Sequence, residues 1–204
     1  MRVVIIGGGI GGLATANLLV KDGHTVELVE KNDYLGGRAG KLVKDGFTFD
    51  TGPSWYLMPG VFERYFNHFD TTAQKELNLI KLTPAYKVYG EGGDITITGD
   101  LKKDAASFES RETGSGRILE SYVRKSRDIY RLSLNHFLYS NFDTPAPFLN
   151  TKVLAKSPSM VRLMVTPLHS YVQSHFKSSL LQQVMEYPSV FLGSSPYTAP
   201  ALYS

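Results

Sequence analysis

An α/β fold opening on a dinucleotide-binding unit is predicted by three observations at the start of this 204-residue chain. A short apolar, β-branched run, Val3-Val4-Ile5-Ile6, reads as a parallel strand buried on both faces. Gly7-Gly8-Gly9-Ile10-Gly11-Gly12 follows and sets Gly7, Gly9 and Gly12 in the G-x-G-x-x-G spacing, with a helical stretch from Leu13 to Lys21 behind it. A second strand, His24 to Glu30, alternates Val26 and Leu28 with polar residues and closes on a carboxylate.

Each position in that order has a physical duty. Gly7 turns the chain off the strand, Gly9 lets bare backbone approach a pyrophosphate, and Gly12 lets the helix lie close to the sheet. Ile10 and Gly11, within the same turn, are read as cofactor-binding, and the helix N-terminus behind them faces the phosphates with its free N–H groups and positive dipole end. Glu30 is placed to accept hydrogen bonds from a ribose and to repel a 2′-phosphate. The competing explanation, a glycine-rich turn in an ordinary α/β protein, accounts for the glycines but not for the carboxylate.

The next loop selects FAD over a nicotinamide cofactor. Lys31 leads into Leu35-Gly36-Gly37-Arg38, where a simple dehydrogenase would enter another helix. Gly36 and Gly37 let backbone pass a long cofactor closely, and Arg38 can pair with phosphate. Lys41–Val43 and Phe47–Phe49 then read as a hairpin about Asp45-Gly46. The hairpin delivers Gly52, Pro53 and Ser54 to a loop that can line the reactive ring, with Trp55 and Tyr56 beside it; a plain turn explains Gly52-Pro53 equally well.

Composition sets the outer bounds. With 42% hydrophobic and 20% charged residues, the chain is expected to bury a core. A net charge of +3 with no run of basic residues makes nucleic acid a poor partner. Absence of cysteine removes disulfides and thiolate chemistry, in keeping with a cytoplasmic setting. No metal is expected, because His24, His68, His136, His169 and His175 form no ligand spacing. No apolar run is long enough for a spanning helix, which leaves peripheral membrane contact open.

Further along, Pro59 to Phe69 is predicted helical, with Val61, Phe62, Tyr65, Phe66 and Phe69 as an aromatic stripe. Lys81 to Gly99 reads as strands about Gly92-Gly93. Asp100 is expected to cap a helix from Leu101 to Glu109, and Thr113-Gly114-Ser115-Gly116 to form a flexible joint. Arg117 to Tyr139 has helical period, and Pro145 and Pro147 end that region. From Val153 to Val190 the chain is apolar with basic interruptions, which suits packing helices better than a lipid-facing surface.

The segments Val3–Arg38, Gly46–Pro59 and Val61–Glu63 resemble the N-terminal part of bacterial phytoene desaturases, the carotenoid-forming flavoproteins. The likeness implies FAD-dependent desaturation of a long apolar polyene by hydride transfer to the flavin. It identifies no catalytic side chain. It implies an incomplete Rossmann-like FAD-binding unit, residues 1–70, and part of an α+β substrate-binding domain, residues 71–204. Family members are longer and close the flavin domain with a later glycine-rich stretch, so the chain resembles an N-terminal fragment expected to hold FAD weakly or not at all by itself, an inactive chain being a further alternative. Two alternatives share the fold: a flavin amine oxidase, against which Trp55–Pro59 speaks, and a flavin-free prenyl-lipid-binding protein, disfavoured by Gly7, Gly9, Gly12, Glu30 and Arg38. Polyene length, electron acceptor and oligomeric state are not encoded in any motif.

Overall fold

The structure, a computed structural model, describes residues 1–53, 55–90, 92–144 and 151–203, without the side chains of residues 152 and 157. The sequence expectations at Ser54, Pro145 and Pro147 lie outside the described residues. The chain divides into two compact units, Met1–Ile80 and Lys81–Ser204.

In the first unit β1 (Arg2–Ile6) pairs in parallel with β2 (Thr25–Val29), joined by α1 (Ile10–Lys21). Val3, Ile5, Val26 and Leu28 are half-buried on one face, and an added Cβ on Gly12 would lie 3.5 Å from Ile5 Cγ2. The other face is bare: Val4 is 55%, Ile6 89% and Val29 47% exposed. The expectation of a strand buried on both faces is therefore corrected. A βαβ unit with one helix has only one layer to set against its sheet, so alternate side chains have no cover.

The hairpin of β3 (Lys41–Lys44) and β4 (Phe47–Asp50) turns at Asp45 and Gly46, both at positive φ, as the Asp-Gly pair demands. Pro59 sits in the first turn of α2 (Pro59–Asn67). The Tyr65 hydroxyl accepts from Asn17 Nδ2 at 2.9 Å, and Lys21 lies over the Phe69 ring, so α2 is tied to α1. α3 (Ala73–Leu77) belongs to this unit too: the Glu63 carboxylate accepts from the Ala73 N–H at 3.0 Å. The unit boundary thus falls ten residues past position 70.

The second unit opens on the hairpin β5 (Tyr86–Gly90) and β6 (Gly93–Ile97), then continues through α4 (Leu101–Arg111), α5 (Ser115–His136), α6 (Thr151–Val165), α7 (Leu168–Gln173) and α8 (Ser179–Glu186). Short 3-10 segments follow at Tyr187–Leu192 and Ala201–Tyr203. Asp100 caps α4 as expected, its carboxylate accepting from the Lys102 N–H at 3.0 Å. Ile95, Phe108, Leu168, Val172, Phe176 and Leu181 are at most 2% exposed and form one cluster. Each such side chain stabilises the fold by about 1.5–3 kcal/mol relative to exposure.

The segment Thr113–Gly116 is not a flexible joint. Ser115 is fully buried, and a Cβ on Gly116 would sit 2.6 Å from the Ala105 carbonyl oxygen. The Glu109 carboxylate accepts from the Gly114 and Gly116 N–H groups, locking the turn and lowering the Glu109 pKa. The glycines read as flexibility in sequence permit a close helix crossing in the fold. A neighbouring carboxylate, Glu112, accepts from the Lys177 and Ser178 N–H groups at the start of α8.

Candidate functional site: a glycine turn at the strand ends

Parallel pairing places the carboxyl ends of β1 and β2 side by side, Ile6 opposite Val29, and the Gly7 N–H extends the ladder by donating to the Val29 carbonyl at 2.7 Å. Glu30 therefore emerges beside the turn. Its Oε2 accepts from the Gly8 N–H at 2.6 Å, while Oε1 accepts from the Asn32 N–H at 3.0 Å and Asn32 Nδ2 at 2.9 Å. The Asn32 N–H first, then that of Gly8, with a smaller contribution from Lys31, holds the carboxyl below its ordinary value. Oε1 accepts two of these bonds and Oε2 one, so Oε2 is the less engaged oxygen. Glu30 can both fix the turn and accept one hydroxyl.

The glycines divide by what demands them. Gly12 is forced by packing, because a Cβ there would lie 2.1 Å from the Gly7 carbonyl oxygen. Gly9 is not forced by the protein at all. Its φ of −71° and ψ of 174° suit any residue, and an added Cβ would meet no atom within 4 Å. Gly9 also provides no side chain to cap α1, and an added Cβ on Gly11 would meet no atom within 4 Å. A diphosphate set against this helix start would find N–H donors, a positive dipole end and clear space. The residues present therefore fit a dinucleotide.

The second glycine pair folds onto the first. The Gly36 N–H donates to the Gly8 carbonyl at 2.8 Å, Gly36 bridges Gly9, and both Gly36 and Gly37 have positive φ. Arg38 is exposed, and its carbonyl lies so close to Gly52 that a Cβ there would be 1.9 Å away. The Thr51 N–H donates to the Gly40 carbonyl, so the hairpin returns Gly52 and the exposed Pro53 to the Arg38 loop. Gly7, Gly9, Ile10, Gly11, Gly12, Glu30, Gly36 and Gly37 thus form one neighbourhood, with Arg38 and Pro53 next to it. Lys31 is exposed and enters through its backbone. Two residues were missed from sequence: Asn32, which holds Glu30, and Leu35, whose Cδ2 covers Gly8. Asn32 had a signal, a turn-former two positions after the carboxylate; Leu35 had none. Among the described residues no group of three or more His, Asp or Glu side chains could hold a metal.

Residues 5–71 match the family described as NAD(P)-binding Rossmann-like domain. Over 99% of its length the chain is 43% identical to the carotenoid 3,4-desaturase of Haloarcula japonica, and 34% identical to a zeta-carotene-forming phytoene desaturase of Myxococcus xanthus. The similarity is to carotenoid desaturases. The chain spans about two-fifths of the length of these desaturases, 41% and 39% respectively. Among solved structures, putrescine oxidase bound to putrescine matches with a TM-score of 0.58 over 99% of the chain and 40% of the oxidase, at 18% identity. That identity shows the fold alone, an incomplete Rossmann-like unit followed by part of a second, mixed region. The Rossmann-like match and the likeness to desaturases support FAD, as read from the second glycine pair.

Proposed function

We propose that this chain supplies the adenosine- and diphosphate-gripping part of an FAD-dependent desaturase acting on a long, phytoene-like polyene. The observation that carries the reading is the Gly8 N–H to Glu30 Oε2 bond of 2.6 Å beside an uncrowded Gly9. Bound FAD would supply the hydride acceptor. The chain's part is to bind and orient: Glu30 takes a ribose hydroxyl, the start of α1 takes the diphosphate, and Gly36-Gly37 keeps backbone low against the cofactor. Arg38 is free to swing toward phosphate, since among the described residues it has no ion pair.

We place this protein in the cytoplasm and peripherally on a membrane. Two points support this: a long polyene dissolves in a bilayer rather than in water, and α6 exposes Leu154, Val161, Met164 and Val165. No helix among the described residues is long and apolar enough to cross a membrane.

The test is a titration of the chain with FAD, read by flavin fluorescence, beside Glu30→Gln. Wild type is expected to bind, and the variant to bind about ten- to a hundred-fold more weakly, the loss of a hydrogen bond to a charged group. Equal affinity would remove the role of Glu30. Joined to the remaining part of the Myxococcus xanthus phytoene desaturase and incubated with FAD and phytoene in vesicles, the chain is expected to shift absorbance to longer wavelength as conjugation grows; an unchanged spectrum with FAD bound would sink the desaturation alone.

A further inference from the structure

We propose that an open basic cleft between α5, α6 and the α7 region, in the second unit, binds a phosphate group. It has about 230 Å3 of space and is lined by Lys125, Lys156, Ser159, Arg162, Tyr171 and His175. The flavin reading uses none of these residues, and the two can fail separately.

Charge distribution is the first support. Residues 115–185 carry nine of the 22 Lys and Arg but only three of the 19 Asp and Glu, so the remainder of the chain is net acidic. Among the described residues one acid pairs with a cation of the cavity: Asp128 lies 3.9 Å from Lys156, with both side chains about half exposed, a contact of small energy. Among the described residues Lys125 and Arg162 have no ion pair.

Geometry is the second. The cations come from two helices, Lys125 from α5 and Lys156 and Arg162 from α6, around a floor that includes Leu163, 7% exposed. Ser159 adds a hydroxyl donor. His175 Nδ1 lies 2.8 Å from the Tyr171 carbonyl oxygen, which can only accept, so that nitrogen carries a proton and Nε2 is the one left to meet a ligand. Lys125, Arg162 and the Ser159 hydroxyl suit the several acceptor oxygens of a phosphate better than a single carboxylate, and the bare Nε2 of the neutral ring can accept from a protonated phosphate oxygen.

Helical spacing bears on where the phosphate comes from. Lys156, Ser159 and Leu163 recur on one side of α6, whereas the exposed Leu154, Val161 and Val165 recur on the opposite side. A membrane covering that apolar stripe would not present its headgroups to the cavity. Soluble phosphate is therefore the expected source, and a lipid headgroup the other.

Calorimetric titration of the full chain with inorganic diphosphate tests this. One site is expected, weakening as salt rises, at least ten-fold weaker in Lys125→Ala/Arg162→Ala and largely retained in Arg162→Lys. On the wild-type protein, diphosphate is expected to shield Lys125 and Lys156 from acylation while leaving Lys87 and Lys102 reactive, a readout that survives if the double variant fails to fold. Vesicles of phosphatidylcholine with phosphatidylglycerol distinguish the sources. Unchanged diphosphate affinity in their presence assigns a soluble phosphate, and competition that pure phosphatidylcholine vesicles do not produce assigns a headgroup. No heat with diphosphate, unaltered affinity in the double variant, or unshielded Lys125 and Lys156 would each overturn the proposal.

Discussion

The two units are held together by different physics. In the second, Phe108, Leu168, Phe176 and Leu181 make an apolar centre, and carboxylates such as Glu109 and Glu112 finish helix ends that packing has already placed. In the first, the buried apolar side chains of the described residues reduce to Ala73, and order comes from backbone meeting backbone: Gly12 on Gly7, Gly36 on Gly8, Gly52 on Arg38. A surface kept bare enough to receive a cofactor cannot also be filled with side chains. The first unit gives up packing for access, and its local stability should be lower.

Deleting a large side chain on each side tests this most strongly. Phe176→Ala is expected to cost about 3–5 kcal/mol, because Phe176 is fully buried and packs edge-on against Phe108. Ile6→Ala, at a residue 89% exposed, should change stability by no more than about 0.5 kcal/mol. Denaturant melts of both variants provide the measurement. A large cost at Ile6 would mean that the open face of β1 is covered in solution.

Adding a methyl group levels the ranking. Gly12→Ala places a Cβ 2.1 Å from a backbone oxygen that cannot swing away, whereas Gly116→Ala meets one at 2.6 Å inside a well-packed crossing. Both should destabilise by about 1–3 kcal/mol. The effects are separable by hydrogen exchange: Gly12→Ala should speed exchange at the Gly7 N–H, which donates to Val29, and leave the Glu112 N–H, which donates to Phe108, protected. Uniform loss of protection would show that the units do not differ in this way.

The same contrast explains what was legible in the sequence. Local patterns carried β1, α1, β2, the Asp45-Gly46 turn and the Asp100 cap, because each is set by residues within a few positions of one another. The site was legible where glycine spacing is itself the mechanism, at Gly7, Gly9, Gly12 and Glu30. It was not legible where a contact depends on how a loop returns, as with Leu35 over Gly8 or Gly52 against Arg38. Gly114 and Gly116 misled for a related reason: a glycine that permits close approach looks in sequence like one that permits motion.

Acid should affect both units through a carboxylate that accepts backbone N–H bonds. Glu30 and Glu109 both have lowered pKa values. A lowered folded-state value means that the stabilisation is complete above the ordinary pKa of 4.5 and is lost as pH falls through the folded-state value. Glu30→Gln and Glu109→Gln should each flatten stability against pH below that point, at the exchange of the Gly8 and Gly114 N–H groups respectively. Wild-type slopes in both variants would assign acid sensitivity to other groups.

The smallest expected effect separates stability from function within the first unit. Asp100 gives α4 a side-chain cap, but Gly9 gives α1 none, although its extended backbone is the conformation a capping serine adopts. Gly9→Ser should therefore stabilise α1 by a few tenths of a kcal/mol, seen as slower amide exchange in its first turn. The hydroxyl would occupy the N–H groups that a diphosphate needs, so FAD affinity should fall while stability rises. If Gly9→Ser binds FAD as well as wild type, the open turn is not where the diphosphate rests, and the bareness of the first unit loses its explanation.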